Sequence, residues 1–523
     1  MLHLRFHLRT SPQVPGVLRG AIDPVRTLRS AGESVASDPD VVIVGTGPNG
    51  LAAGVTMARA GLRVTLYEQA TSIGGGLRGA SLFDRDITHD ICAAVHPMAV
   101  ASPFLRAFDL AARGVEALAP DISYAHPLDG GRAALAHRSL EETCAGLGPD
   151  GPRWRRLMEP LLEHSAGVVE MMLSSQRALP GDLGVASAFA RRTLAHGTRL
   201  ASHGFRTEEA RALLTGVAAH VVGPMPSMAS GAVALLLGHL AHGGGWPVLR
   251  GGSVRMAEVL ADDIRAHGGV FHTGRRITDL RQLGRPKAVL LDLTPKGLAR
   301  IAPGLPTGYR RRLARFRYGP GAAKADFLVS DPIPWADPAV GRAGTVHLGG
   351  TQAQMWRQET ATARGRATDE PFVLVVDPAV ADPERARPGK RPVWAYAHVP
   401  NGDRRDAVEL VRARIERYAP GFSETIVAQR GISAHDYESH NPNYVGGDIG
   451  AGAMTLLQSV LRPTARLDPY TTPLRGVYLC SASTPPGPGV HGMAGHLAAC
   501  SALRREFGIR RAPSLGPKGR GMK

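Results

Sequence analysis

The feature that most constrains the fold of this chain is a glycine turn that joins an apolar strand to a helix. Residues 41–44 read Val-Val-Ile-Val, a β-branched run typical of a buried parallel strand. The next six residues form a GxGxxG sequence, and apolar residues at helical spacing follow until Gly61. Residues 62–67 are expected to form a second strand that ends at Glu68. This order predicts a βαβ unit of the Rossmann type.

Each glycine of the turn has a physical use in binding a dinucleotide. Gly45 permits the tight turn, Gly47 lets a pyrophosphate approach the backbone, and Gly50 lets the helix pack close to the sheet. The N-terminus of the helix, which begins near Pro48 and Asn49, presents free N–H groups and the positive end of the helix dipole to the phosphates. Glu68 can accept hydrogen bonds from the ribose hydroxyls of an adenosine, and its charge disfavours the 2′-phosphate of NADP.

A second glycine cluster, Gly74, Gly75 and Gly76, follows the acid directly and indicates which dinucleotide binds. A nicotinamide-binding Rossmann unit has no need of glycines at this point. In two-dinucleotide-binding flavoproteins they let the backbone pass close to the flavin side of the pyrophosphate. The sequence therefore predicts FAD as the cofactor.

Composition excludes several other classes of function. The formal net charge of +17 suggests nucleic acid, but the arginines are scattered and no basic helix carries interleaved aromatics, so we expect no nucleic-acid partner. The four cysteines have no CxxC or metal spacing, which argues against a metal site or a redox dithiol and fits a reducing compartment. No apolar run has the length of a membrane span.

The chain alternates between nucleotide-binding and other patterns, which predicts two interleaved domains. An FAD-binding domain is expected from residues 40–104, 243–302 and 465–510. A substrate domain is expected from residues 105–242, which are mostly helical, and 303–464, which contain short strands. Residues 1–39 are basic and fit either a disordered extension or an organelle-targeting leader, and residues 511–523 are expected to form a disordered basic tail.

Four further parts of the chain, all after the first βαβ unit, are expected to contribute to the site. Returning strands of this kind place backbone groups against the adenine, here near Ile277. His89 and His96 follow the first unit, and each fits either contact with the flavin or a hydrogen-bonded structural role. The loop at residues 441–449 fits either a wall of the site or a surface turn. A proline–glycine loop then precedes a helix whose N–H groups would stabilise a reduced flavin; its residues are Gly489, Val490, His491, Gly492 and Met493.

With these motifs in order, the sequence resembles the phytoene dehydrogenase and carotenoid desaturase-like flavoproteins. Within them it is similar to the group called pyridine nucleotide-disulfide oxidoreductase domain-containing protein two. The resemblance implies an α/β fold with a glutathione-reductase-like Rossmann FAD domain, an interleaved α+β substrate domain and hydride removal from a carbon skeleton. Relatives carry Gly-Asp or Gly-Ala where this chain has Ser481 and Ala482, so backbone N–H groups are expected to contact the cofactor there.

The leading hypothesis is an FAD-dependent dehydrogenase or desaturase that removes hydride from a largely apolar, lipophilic substrate. His491 is a candidate catalytic or flavin-tuning residue, and Lys324 is a second candidate because related amine oxidases place a lysine near flavin N5; an exposed lysine is the more usual state. The alternatives are an amine oxidase and a flavin-bound regulator or scaffold. The electron acceptor (O2, a quinone or another carrier) and the oligomeric state stay open. We expect a cytoplasmic location, with peripheral membrane contact and an organelle leader as alternatives.

Overall fold

The computed structural model describes residues 38–177, 180–200 and 204–517. The predicted N-terminal extension therefore lies outside the described residues except for its last two positions, and so do the last six residues of the predicted tail. Residues 39–517 belong to one compact unit.

The predicted Rossmann unit lies at the centre of a five-stranded parallel sheet. Its first strand, Val41–Val44, is fully buried and pairs on both sides, as an all-parallel sheet covered on both faces requires. The strands come from three distant parts of the chain, which matches the predicted return of the chain to the nucleotide-binding domain. Across the sheet their order is Val477–Leu479, Ala288–Leu291, Val41–Val44, Val64–Tyr67 and Val270–His272.

Three helices cover one face of this sheet and approach one another closely. Pro48–Arg59 begins directly after the glycine turn and contacts both Val254–Ala266 and Met493–Glu506. A methyl group at Gly495 would lie 1.8 Å from the carbonyl oxygen of Asn49, so only glycine allows this contact between the first and last helices. The end of the chain is thereby fixed beside the glycine turn.

The second large sheet has seven strands and forms the substrate domain. All of its strand pairs are antiparallel except one, between Ala343–Leu348 and Ile122–Leu128. Helix Ala407–Tyr418 packs on this sheet and shares an apolar core with it. The strand order is Ile426–Ile432, Gly321–Val329, Arg391–Val399, Val373–Val376, Ala343–Leu348, Ile122–Leu128 and Arg132–His137.

Residues 105–242 differ from the predicted helical cap in two ways. They contribute the strands Ile122–Leu128 and Arg132–His137 to the large sheet. The first of these strands is buried along its whole length and pairs with a neighbouring strand on both edges. The helical pattern of residues 154–172 does not form one helix, because it is broken at His164 into Gly151–Glu163 and Ser165–Met172. The other helices of the substrate domain and connections are Pro97–Ala101, Pro103–Phe108, Leu140–Gly146, Leu183–His196, Glu208–Ala218, Met228–His242, Pro295–Ile301, Thr307–Ala314, Gln352–Ala363, Ala434–His440 and Leu456–Leu461.

A buried ion pair joins the two domains beside the short hairpin Gly79–Ala80 and His89–Asp90. Arg385 of the substrate domain donates to the Asp90 carboxylate at 3.0 Å, and both side chains are less than 5% exposed. The backbone N–H of Ser253 donates to the other oxygen of the same carboxylate at 2.8 Å. This network holds the glycine-rich segment before helix Val254–Ala266 against the hairpin.

The predicted disorder of the tail is wrong for residues 514–516. The Leu515 side chain is buried against the main core, and Arg59 donates to the carbonyl oxygens of Ser514 and Gly516 at 3.2 and 2.8 Å. The same Arg59 guanidinium is held by the Asp263 carboxylate of helix Val254–Ala266 at 2.6 Å, which fixes it beside the tail. Among the described residues, no helix combines the length and apolar character needed to cross a membrane.

Candidate active site

A long cleft runs along the carboxyl ends of the parallel strands, and most of the predicted cofactor contacts line it. Its empty volume is about 1330 Å³. Ligand-binding sites in doubly wound α/β sheets lie at the carboxyl ends of the strands, where the strand order reverses. The predicted residues that line the cleft are Gly45, Gly47, Pro48, Asn49, Glu68, Gly75, Gly76, Ile277, Ser481 and Gly489. The other predicted cofactor contacts are near the lining residues in sequence but are not part of the lining themselves; they are Gly50, Gly74, Val490, His491, Gly492 and Met493.

The glycine turn has the close approach that its sequence predicts. Gly45 has a φ of +96°, a conformation that strains any residue with a side chain. A methyl group at Gly50 would lie 2.1 Å from the carbonyl oxygen of Gly45, which explains why the helix needs glycine there. Helix Pro48–Arg59 begins without a cap from the side chain of its N-cap residue, Gly47. Pro48 has no N–H and the N–H of Gly50 is bonded to Asp292, so the N–H of Asn49 is the open donor at this helix N-terminus among the described contacts.

Glu68 lies in the cleft at the end of its strand, as predicted, and is held by three hydrogen bonds. Its Oε2 accepts from the backbone N–H and the hydroxyl of Thr46 at 3.0 and 2.7 Å. Its Oε1 accepts from the backbone N–H of Ala70 at 2.9 Å. A carboxylate has about four acceptor positions, so Glu68 can still accept from a ribose hydroxyl.

Asp292 is a second acid in the cleft, and the sequence analysis did not assign it to the site. It follows strand Ala288–Leu291, and its Oδ2 accepts from the backbone N–H of Gly50 at 3.0 Å. Burial raises the pKa of Asp292 to about 7, the charge of Glu68 adds to this effect, and the N–H groups of Gly50 and Gly47 oppose it. Its position after a strand that neighbours the first strand was the available sequence signal.

Four arginines line the cleft and give it positive charge. Arg78 follows the second glycine cluster and donates to the carbonyl oxygen of Gly75 at 3.1 Å; its Nη2 lies 3.2 Å from Nε2 of His440. Arg275, Arg276 and Arg300 lie near the outer end, beside Ile277. Guanidinium groups beside a helix N-terminus suit a bound pyrophosphate.

The loop at residues 441–449 forms a wall of this cleft, which decides between the two alternatives predicted for it. Asn443 accepts from the N–H of Thr294 at 3.0 Å and donates to the carbonyl oxygen of Asp292 at 2.8 Å. The hydroxyl of Tyr444 lies 3.0 Å from the Cys92 sulfur at the inner end of the cleft. The loop therefore connects the substrate domain to the nucleotide-binding sheet.

His491, a predicted catalytic residue, has both ring nitrogens bonded to the main chain. Its Nδ1 accepts from the backbone N–H of Met493 at 3.0 Å, so Nε2 carries the proton and donates to the carbonyl oxygen of Gly487 at 3.2 Å. The ring is fully buried, and burial lowers the pKa of His491 to about 4. In this geometry the histidine holds the loop rather than presenting a free nitrogen to the cleft.

Lys324, the second candidate, is buried, so the expectation of an exposed lysine is wrong. It lies on strand Gly321–Val329, is 1% exposed and forms an ion pair with Asp326. Its Nζ lies 5.1 Å from the centroid of the Trp394 ring. Burial lowers the pKa of Lys324, and the charge of Asp326 opposes this effect.

An apolar chamber with an empty volume of about 540 Å³ adjoins the inner end of the cleft. Cys92 and Ala93 line the cleft, whereas Val95 and His96 line the chamber. His96 thus lies at the site, whereas His89 is absent from the described linings of both cavities. Burial lowers the pKa of each of these two histidines to about 4. The chamber walls include two tryptophans, Trp246 and Trp394, that the sequence analysis did not identify.

Comparisons with known proteins agree with this geometry. The NAD(P)-binding Rossmann-like domain family matches residues 43–111. Pyridine nucleotide-disulfide oxidoreductase domain-containing protein 2 of Rattus norvegicus is 23% identical over 306 residues, which are 50% of this chain and 52% of the rat protein. Phytoene dehydrogenase of Streptomyces griseus is 29% identical over 161 residues, 29% of this chain and 30% of that enzyme. The chain is homologous to both proteins. The predicted resemblance is thereby confirmed, although the chain spans only about half the length of the curated relatives it matches.

The predicted fold class is also confirmed among solved structures. A triple mutant of putrescine oxidase, made to redesign cofactor binding, superposes with a TM-score of 0.55 at 17% identity, covering 89% of this chain and 98% of its own. This likeness establishes a shared α/β architecture with a Rossmann-type dinucleotide-binding domain. Phytoene dehydrogenase is an oxidoreductase by name, which agrees with the predicted class of enzyme.

Proposed function

We propose that this chain is an FAD-dependent oxidoreductase that removes hydride from a largely apolar organic substrate. The observation that carries the proposal is the junction of the two cavities. The cleft suits an extended dinucleotide, and the residues at its inner end, Ala93 and Gly489, are close in sequence to Val95 and Val490 of the chamber. A substrate in the chamber would thus meet the inner end of a cofactor in the cleft.

The side chains present fit FAD at both ends of the cleft. Glu68 would hold the adenosine ribose, and the N-terminus of helix Pro48–Arg59, with the N–H of Asn49, would face the pyrophosphate. Cys92 and Tyr444 lie at the inner end, where the flavin ring is expected. When bound, FAD would supply a two-electron acceptor for a C–H bond held above the ring.

The chain itself would orient the substrate and exclude water. The chamber walls are mainly aliphatic and aromatic, so they favour an apolar skeleton and leave little room for competing solvent. Lys324 would act from below Trp394, where its ammonium group is held by Asp326 and shielded from solvent. Lys324 is not among the described residues that line either cavity, so its charge would act through Trp394 rather than by direct contact with the substrate.

The test is to purify the chain, record its visible absorption, and release and identify any cofactor by heating. We expect a two-banded flavin spectrum, release of FAD, and bleaching when a lipophilic substrate is added without oxygen. A colourless protein that takes up no FAD when it is supplied would refute the proposal. A protein that binds FAD but is bleached by no substrate or common reductant would support the regulator or scaffold alternative.

An amine oxidase is the second candidate, and the two chamber tryptophans favour it. Related amine oxidases use aromatic pairs at the flavin, and the structure places Trp246 and Trp394 in one chamber together with Lys324 behind Trp394. An amine oxidase would release hydrogen peroxide when the flavin-loaded protein is mixed with amines in air. Absence of peroxide across primary, secondary and tertiary amines, with bleaching by a nitrogen-free substrate, would decide against it.

A further inference from the structure

A short apolar helix of the substrate domain, Leu456–Leu461, lies on the surface, and all of its residues are at least partly exposed. Leu456, Leu457 and Val460 are 61%, 71% and 40% exposed, and Leu467, a few residues later, is 99% exposed. A single exposed leucine is ordinary on a protein surface, but several in one short stretch of chain form an exposed apolar patch. Patches of this kind mark surfaces at which another molecule binds.

This helix is held firmly in place, although its own apolar side chains face water. Thr455 caps its N-terminus by accepting from the backbone N–H of Gln458 at 3.2 Å. The side-chain amide of Gln458 accepts from the N–H of Arg317 at 3.0 Å and donates to the carbonyl oxygen of the same residue at 2.8 Å. Arg462, buried directly after the helix, donates to the carbonyl oxygen of Ala482 in the cofactor cleft at 2.8 Å. The exposed leucines are therefore presented from a fixed support beside the cleft.

The segment that supports this helix carries an arginine cluster. Neither residues 303–318 nor residues 453–467 contain an Asp or Glu. Two acids near these segments, Glu438 and Asp468, already pair with Lys296 and Arg505. Among the described residues, no arginine of the cluster forms an ion pair with a carboxylate. The cluster consists of five exposed side chains, Arg310, Arg311, Arg312, Arg315 and Arg317.

This combination of apolar and positive groups selects among the molecules that could cover the patch. A second copy of the chain, bound face to face, would bring two arginine clusters towards each other, which is unfavourable. A nucleic acid would pair with the arginines but would leave the leucines without an apolar partner. A bilayer with anionic lipids satisfies both, because it offers phosphate groups to arginine and hydrocarbon to leucine at adjacent depths.

We propose that helix Leu456–Leu461 and the arginine cluster form a docking surface for a lipid bilayer that contains anionic phospholipids. The leucines enter the boundary of the hydrocarbon layer, and the arginines stay among the headgroup phosphates. Peripheral membrane contact is one of the alternatives that the sequence leaves open, and this surface gives it a location. The proposal does not rest on the oxidoreductase activity, because docking requires neither cofactor nor substrate.

The experiment measures binding of the full chain to vesicles by flotation. One set of vesicles is phosphatidylcholine alone, and the other contains about a third phosphatidylglycerol. We expect binding to the anionic vesicles to be about tenfold tighter, because each basic side chain near an anionic surface contributes about 1 kcal/mol. Added salt should reduce this difference, since it screens the attraction between the arginines and the headgroups.

Two double variants test the two parts of the docking surface. Leu456→Gln with Leu457→Gln keeps the helix but removes its apolar tip, and should weaken binding to anionic vesicles about tenfold. Arg311→Gln with Arg315→Gln should weaken the same binding about tenfold and abolish most of the preference for anionic lipid.

Matched controls make the same chemical changes elsewhere on the surface. Val427→Gln replaces a side chain that is 55% exposed but lies outside the two segments. Arg364→Gln with Arg366→Gln removes two exposed arginines, also outside them. Both controls should bind vesicles like the wild type. Far-ultraviolet circular dichroism checks that every variant is folded, which we expect because all of the substituted side chains are exposed.

Absence of binding to either kind of vesicle would overturn the proposal, as would equal binding to both kinds. Binding that survives the leucine variant but not the arginine variant would overturn insertion of the helix and leave only attraction between charges. Self-association that the leucine variant abolishes, without vesicle binding, would assign the patch to a second copy of the chain. None of these results depends on FAD, so they leave the proposed oxidoreductase to its own test.

Discussion

Replacing Asp292 with Asn should make the protein more stable above neutral pH, because the wild-type carboxylate is buried at the N-terminus of the nucleotide-binding helix. Its Oδ2 accepts one hydrogen bond from Gly50, and an asparagine Oδ1 can accept the same bond. The substitution therefore keeps the shape and the contact but removes the charge. The stability difference between the two proteins isolates the cost of that charge.

The size of the effect follows from the shift in pKa. Burial raises the pKa of Asp292 from 3.8 to about 7, so at 1.36 kcal/mol per pKa unit ionisation costs the folded state about 4 kcal/mol more than the unfolded chain. Between pH 4 and pH 7 the folded protein binds one proton more than the unfolded chain, and its stability falls as pH rises. Above pH 7 both states are ionised and the loss is complete.

The assay is urea unfolding of the wild type and Asp292→Asn, without added FAD, from pH 5 to pH 8. Contributions from all other titrating groups cancel in the difference between the two proteins. The advantage of the variant should grow by about 3 kcal/mol over this range, all of it below about pH 7. An equivalent change at the exposed Asp86, Asp86→Asn, is the control for replacing a carboxylate with an amide.

A stability difference that does not vary with pH would refute the reasoning, because it would mean that Asp292 keeps an ordinary pKa. The same charge should also oppose a bound pyrophosphate. We therefore expect FAD affinity to fall as pH rises through about 7 in the wild type but not in Asp292→Asn, measured by flavin fluorescence on titration.

Three further substitutions test separate parts of the site. Gly50→Ala places a methyl group 2.1 Å from the carbonyl oxygen of Gly45, so the purified protein should lose bound flavin, as read from its visible spectrum. Glu68→Gln should weaken FAD binding about tenfold in equilibrium dialysis, because an amide cannot accept at both of its terminal atoms. Lys324→Met should destabilise the protein by about 3–5 kcal/mol in urea unfolding, since it leaves the Asp326 carboxylate buried and unpaired. Adding Asp326→Asn should restore stability without restoring turnover, and recovery of turnover would show that Lys324 has no role in catalysis.

The nucleotide-binding half of the molecule could be predicted because its determinants are local. The determinants lie within about thirty residues: the GxGxxG turn, the strand before it and the acid after it. Each glycine of the turn is required by one steric constraint. The return of the chain was equally readable, since the strands Ala288–Leu291 and Val477–Leu479 are short apolar runs followed by loops. Ser481 lies in the cleft because it comes just after the second of these strands.

The chemistry at the inner end could not be predicted, because it depends on pairs that are distant in sequence. Lys324 was expected to be exposed, as lysines usually are, yet its strand lies inside the seven-stranded sheet, where Asp326 and Trp394 surround it. His491 has the right type and place for a catalytic residue, but only the three-dimensional loop shows that Gly487 and Met493 occupy both of its nitrogens.

The chamber shows why the sequence could not define the substrate beyond its apolar character. Most of its lining residues are apolar, and the 5% aromatic content of the chain gives no sign that Trp246 and Trp394 line the same cavity. An apolar wall discriminates weakly between ligands that differ by one hydroxyl, whereas an unpaired donor discriminates strongly, so the polar groups of a ligand cannot be inferred from the composition of the lining. Residues that line the chamber, such as Thr345 in a fully buried strand, are ones that sequence patterns assign to the core, so they are recognised as lining residues only once the fold is known.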